Sequence, residues 1–467
     1  MKKKAKIMNI KNKILFFSLI FFLLFSCILP QRLYAAPNLE KGSIILDAEV
    51  SWIMKQFLRP IYSVAGLPTK EIEVYVIVDS SLNAFAVPGP AVFVHTGLLF
   101  EADTALDLLG VLAHETGHIA RHHFSRRIQA YKDLQEKGIL MGGLGLLFGM
   151  LAGGADAGMA GLMGGMDVAQ KSAMSFTRGQ EASADQAAME FLDKLQWSSQ
   201  GLYNFFDKLK KQALLPASRQ SQFLRSHPLS QERMNYIALH IKKSAYKGKP
   251  LPKVFTLYFD RLKAKVYAYT ASYSNINRLY PKEDKSIPAQ YAQAILAYRK
   301  GNLKNALNQI DSLIKQYPED PFFHDFRAVI LTEQKKIDKA IFAYKTALKF
   351  LPKEPLYYLA IAQLYIGKAP SPLIDEKIRF YLKKAIQEYP SPMAWHMVAV
   401  VEGRKGNLGL VALALGEKNI LLHNWDEAKN QAKRALHFLK KSKQGDSKKI
   451  QRAKDIISMT EIEKEKK

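Results

Sequence analysis

Cysteine is almost missing from this chain: Cys27 is the only one in 467 residues. No fold here can depend on internal disulfides, and no thiol is available downstream as a zinc ligand or nucleophile. Any metal site must therefore be built from His and carboxylate. Acidic side chains are also scarce, 42 Asp and Glu against 68 Lys and Arg, for a formal net charge of +26. Such an excess points to nucleic acid, anionic lipid or an acidic polypeptide as partner. Many of the lysines fall on polar helix faces in the second half, where a solvated surface accounts for them equally well.

An unambiguous membrane span is missing too. The apolar stretch from Ile14 to Leu29 is marginally short of the ~20 residues a helix needs to cross a bilayer. It is preceded by Lys2, Lys3, Lys4, Lys6, Lys11 and Lys13 and followed by Pro30, Gln31, Arg32, Ala35 and Ala36. This order of charge, apolar core and small residues predicts a secretory signal over residues 1–35, cleaved after Ala35. An uncleaved anchor and a lipid-modified Cys27 remain open. Export argues against nucleic acid, for which no recognisable binding module is present.

What the chain does have is His114-Glu115-Thr116-Gly117-His118, set in the apolar run Leu108 to Ile119. On a helix, residues four apart share a face, so two imidazoles converge on one metal with Glu115 alongside. The expected helix runs from Ala102 to about Lys137. Zinc catalysis needs a third protein ligand and an open position. Arg121 and Phe124 stand where a metzincin would place its Gly and third His, which excludes that class. His122 and His123 read as surface groups or as supports behind the ligands. The better third ligand is Glu181, in Glu181-Ala182-Ser183-Ala184-Asp185 on a second helix, 63 residues after His118. Asp185, one turn on, can orient a histidine ligand.

Upstream, a helix is expected over Leu39 to Leu67 and strands over Glu71 to Val78 and Ala91 to Val94. Asn83 to Pro90 lies between them as an edge or loop segment, since Pro-Gly-Pro bars a central strand. An edge beside the metal helix could take an extended substrate by main-chain pairing, or be an ordinary hairpin. Downstream, Gly138 to Met166 is Gly- and Met-rich, with Asp156 its only ionised side chain. It reads as a membrane hairpin, an apolar lid or a Met-lined surface for unfolded polypeptide.

His114 to His118, Asn83 to Ala86 with Thr96-Gly97-Leu98, Glu181 to Asp185, and Ser226-His227-Pro228 with Arg233 occur in the order found in HtpX-like zinc peptidases, which the chain resembles. The resemblance implies one zinc on His114, His118 and Glu181, with Glu115 as general base and Asp185 behind a ligand. It also implies His227 and Arg233 near the fourth metal position or the reaction oxyanion. On the residues alone, His227 before a proline is a plain loop residue.

The pattern changes after about Pro281. Ala306 and Ala340 lie 34 residues apart, as do Pro318 and Pro352, and Ala294 and Ala328. Ala362 and Tyr365 continue the series, a longer unit ends at Pro390, and Gly416, Ala428 and Ala435 mark a degenerate further copy. This is the tetratricopeptide period, with small residues where paired helices touch. The expected fold is mainly α: a zincin-type α+β peptidase domain with a small sheet over 36–275, then an all-α repeat solenoid over 285–460. Behind an export signal, that combination resembles the periplasmic, repeat-bearing members of the same family. Their implied role is to degrade misassembled outer-membrane proteins, with a chaperone-like activity and repeats that engage the barrel assembly machinery. Association with a membrane surface, and a chaperone or adaptor that seldom cleaves, stay open as alternatives.

Overall fold

A computed structural model describes residues 39–70, 72–87, 91–123, 176–213, 216, 220–441 and 447–465. The expected export segment 1–35, with Cys27, and the Gly/Met-rich stretch 138–166 lie outside the described residues.

The first helix, α1 (Ala48–Val64), starts where Asp47 accepts a hydrogen bond from the Val50 amide, and it buries Ile53, Met54, Phe57, Leu58 and Ile61. It covers a three-stranded sheet of β1 (Glu73–Ile77), β2 (Ala84–Ala86) and β3 (Ala91–His95). The order is β1-β3-β2, with β1 parallel and β2 antiparallel to β3, so β2 lies on an edge. The short α2 (Thr96–Glu101) then leads into α3 (Ala105–Ala120), which carries the histidine pair.

Helix α3 begins with a capping box in which Thr104 and Asp107 each bind the other's backbone amide. It ends at Ala120, well short of the Lys137 expected from its apolar pattern. Arg121 caps it, and His122 takes a positive φ of 54°, turning the chain back. Helices α4 (Arg178–Lys194) and α5 (Gln200–Ala213) both pack against α3. Two glycines permit that approach. A Cβ on Gly117 would meet the Ala184 carbonyl oxygen of α4 at 2.8 Å, and one on Gly110 would meet the Leu202 amide of α5 at 2.5 Å. Helices α6 (Gln222–Ser226) and α7 (Gln231–Lys243) close this half.

Helix α8 (Lys253–Thr270) belongs to both halves. Phe259, Leu262 and Val266 join the core of α1, the sheet and α3, whereas Ala264, Ala268 and Tyr269 join the first repeat core. After α9 (Tyr273–Leu279), antiparallel pairs follow: α10 (Ile287–Arg299) with α11 (Leu303–Gln316), α12 (Pro321–Glu333) with α13 (Ile337–Phe350), and α14 (Pro355–Ile366) with α15 (Pro372–Glu388). The pair α16 (Pro392–Arg404) and α17 (Leu408–Leu421) precedes α18 (Trp425–Lys441) and α19 (Ser447–Glu465). Ala294, Ala328, Ala362, Ala306 and Ala340 are all fully buried where neighbouring helices meet, the role their 34-residue spacing predicts.

The two halves meet through buried charge. Lys265 on α8 sits 2.7 Å from Asp47 and 3.1 Å from Glu49, and Arg261 pairs with Glu49 at 2.5 Å and with Asp320 ahead of α12. Asp325, Glu354 and Tyr357 of the repeats face the same cluster. A second contact lies far along the chain, where Tyr389 at the end of α15 donates a hydrogen bond to Glu73 of β1 at 3.3 Å. Among the described residues, no helix is long and apolar enough to cross a membrane.

Candidate metal centre

Because α3 presents positions four apart on one face, His114 Nε2 and His118 Nε2 lie 3.1 Å from each other. Helix α4 brings Glu181 against them, with one carboxylate oxygen 3.4 Å from His114 Nε2 and the other 3.4 Å from His118 Nε2. His227, in the turn after α6, contributes Nδ1 at 3.4 Å from His114 Nε2 and 3.0 Å from Glu181 Oε1. One donor atom from each of these four buried residues lies within 4.8 Å of all the others. A zinc tetrahedron with bonds of about 2.1 Å has edges of about 3.4 Å, so this spacing fits a single ion. Three imidazoles and a carboxylate buried together in this way form a donor set suited to a cation.

The surroundings hold each ligand in place. His114 Nδ1 lies 2.9 Å from Asp185, one turn beyond Glu181 on α4. Burial works against a charged His114, yet its bonds to Asp185 and Glu181 raise it to about 9. Burial, with His114 and His227 beside it, carries His118 the other way, well below its usual range, against the opposing pull of Glu181. Glu181 is held well below the normal carboxylate range despite its burial, by the His227 charge and by bonds from all three histidines. The His118 ring stacks on Phe176 with centroids 3.8 Å apart, and His227 stacks on Phe223 at 4.6 Å.

Glu115 points at the same space. The Ala86 amide of edge strand β2 donates to Glu115 Oε2 at 3.0 Å, while Oε1 lies 3.7 Å from His227 Nε2. Burial raises the Glu115 carboxyl above its ordinary value. That hydrogen bond ties the edge segment Asn83 to Ala86 to the metal helix, a link the sequence alone left between a substrate edge and a plain hairpin.

Arg233, in the first turn of α7, comes to the site beside Glu181 and Asp185. Its Nε and Nη2 donate to the Asp185 carboxylate at 2.6 and 2.8 Å, and Nη1 donates to the Pro228 carbonyl at 2.8 Å and pairs with Glu181 at 2.8 Å. Its guanidinium also lies 4.8 Å over the Phe206 ring. Its guanidinium thus joins the Asp185 and Glu181 carboxylates to the Pro228 turn. Of the remaining histidines, His122 is exposed, while His123 is buried with Nδ1 3.0 Å from His118 Nδ1.

Residues 47–239 match the model of peptidase family M48. The chain carries an M48 peptidase domain. It is a zinc metallopeptidase, and the His114, His118, Glu181 and His227 group is compatible with the zinc of that family. The similarity extends beyond the M48 domain. The chain is 29% identical over 343 residues to the Beta-barrel assembly-enhancing protease of Yersinia pestis, covering 71% of this chain and 68% of that protein. It is 25% identical over 364 residues to the protein of the same name from Escherichia coli K12, covering 76% and 72%.

Proposed function

We propose that this protein is an exported zinc endopeptidase that acts on outer-membrane β-barrel proteins which fail to assemble, in the periplasm. Residues 1–35 serve as export signal, 36–275 as peptidase domain and 285–460 as tetratricopeptide docking domain. Two relatives named for β-barrel assembly, matched over more than two thirds of their length, support the substrate class. The observation that carries the reading is the buried four-donor cage with Glu115 set against it and an edge strand bonded to that same glutamate.

In this proposal His114, His118 and Glu181 hold the zinc, and Asp185 orients His114. When bound, zinc supplies Lewis-acid chemistry, polarising the scissile carbonyl and lowering the pKa of water towards about 7. Glu115 accepts the proton from the attacking water through the oxygen that faces His227, and returns it to the leaving amine. Its other oxygen stays with the Ala86 amide, which keeps the carboxylate aimed. Strand β2 pairs with an extended substrate along its outer side. His227 fills the corner that water must take, so the resting site is closed, and cleavage requires its loop to move. Arg233 acts as a positioning residue that fixes Asp185, Glu181 and the Pro228 turn together.

The closed corner also favours a second reading, an assembly adaptor that binds through its repeats and seldom cleaves. Zinc content and casein cleavage, measured side by side for the mature protein, Glu115→Gln and His227→Ala, separate the two. We expect one zinc per chain in all three, activity reduced at least a hundredfold in Glu115→Gln and raised in His227→Ala. Zinc without cleavage in any of them supports the adaptor. Unchanged or lower activity in His227→Ala removes the closed-site mechanism.

A further inference from the structure

We infer that His123 is a positioning residue for the metal centre, accepting a hydrogen bond from His118 and so fixing which nitrogen of His118 faces the metal. The inference rests on the reading that His118 is a ligand, and it begins from the way α3 ends. Five residues on, a continuing helix would carry a side chain about 140° around its axis from His118, out of reach. Here the helix stops at Ala120, the Arg121 amide bonds the Gly117 carbonyl at 3.0 Å, and the His122 amide bonds the Ile119 carbonyl at 3.0 Å. The positive φ of His122, 54°, then folds His123 back over the last turn. His123 ends only 2% exposed, its ring 5.1 Å from that of His118 and beside the same Phe176 that His118 stacks upon.

The two Nδ1 atoms are 3.0 Å apart, a distance that holds one hydrogen between them. His118 turns Nε2 to Glu181 and His114, so that nitrogen must be bare to bind a metal. A neutral imidazole with Nε2 bare carries its hydrogen on Nδ1. His118 is therefore the donor and His123 the acceptor, with the hydrogen of His123 on its own Nε2. The two helix ligands differ in what their second nitrogen meets: His114 Nδ1 lies 2.9 Å from the Asp185 carboxylate, whereas His118 Nδ1 faces the His123 ring.

The test is zinc affinity by chelator competition for the mature wild type, His123→Phe and His123→Asn, with the melting temperature of each metal-free protein recorded alongside. Phenylalanine keeps the ring without the acceptor, and asparagine restores an acceptor oxygen. We expect His123→Phe to bind zinc about 10- to 100-fold more weakly, His123→Asn to recover most of that loss, and the metal-free melting temperatures to stay together. Cobalt-substituted absorption should shift in the Phe variant and return in the Asn variant. Should the Phe variant not fold, His123→Leu takes its place. Zinc bound as tightly without an acceptor as in the wild type overturns the inference, as does equal weakening in the Phe and Asn variants. A wild type that binds no zinc instead removes the ligand reading beneath it.

Discussion

At Gly117, next to His118 within the histidine pair, a single methyl group decides whether two helices meet. Since a Cβ there would lie 2.8 Å from the Ala184 carbonyl oxygen, Gly117→Ala must push α4 away from α3 and carry Glu181 with it. Overpacking of this kind costs about 1–3 kcal/mol. The expected outcome is a lower denaturation midpoint together with weakened zinc binding, the latter read by chelator competition; full-strength zinc binding would show that α4 can shift without moving Glu181. The histidine pair and Glu115 were legible in the sequence because their geometry is local, set by one helical turn. Glu181 was less so, since it depends on a second helix whose docking requires Gly117. The place of His123 was hidden: its contact exists only because α3 stops at Ala120, and no Gly or Pro marks that stop. Arg233 was visible as a residue near the site, but its bonds to Asp185 and Pro228 are contacts that no spacing reveals.

Among the elements, α3 is held at both ends by backbone chemistry rather than by length of apolar pattern. The apolar run suggested a longer helix, whereas the turn at His122 ends it and folds His123 back onto it. At the other end, Thr104 and Asp107 cap each other, and Asp107 also accepts from the Asp103 amide at 3.0 Å. Thr104→Ala should cost about 1 kcal/mol in chemical denaturation while leaving zinc affinity unchanged, because the cap lies nearly three turns from His114. A loss of zinc affinity comparable to that of a ligand substitution would show that the start of α3 controls the site directly. The repeats were the most readable elements, since a 34-residue period puts small side chains at every helix contact. The sheet was readable as strands but not as a topology; the central place of β3 follows from a parallel pairing with β1 that alternation cannot encode.

For the molecule as a whole, the buried ionic cluster at the junction governs how the halves stay together. Removing Lys265, only 2% exposed, leaves Asp47 and Glu49 facing each other without their shared cation. Lys265→Ala should therefore destabilise the protein by about 3–5 kcal/mol, measured by chemical denaturation, and expose the α8 to α10 region to protease. The same cluster sets a pH response. Burial raises Glu354 to about 7 and Asp325 well above the carboxylate range, with Lys265 opposing the shift at Asp325 and Asp47 and Glu49 adding to it. A carboxyl raised on folding stabilises the folded state while protonated and loses that contribution as pH rises through its folded pKa. Stability should thus fall as pH rises from the ordinary carboxylate value of 4.5 to about 7. Glu354→Gln should flatten that slope, and a slope unchanged in both Glu354→Gln and Asp325→Asn would place the response elsewhere.

Helix α8 gives this arrangement a mechanical meaning. Because one face of it packs in the peptidase core and another in the first repeat, a pull on the solenoid cannot be absorbed by a slack tether. The load passes through a rigid rod into the core that supports α3, while the Tyr389 to Glu73 contact acts as a guy line on the opposite side of the sheet. A cargo that grips the repeats therefore tugs on the enzyme itself.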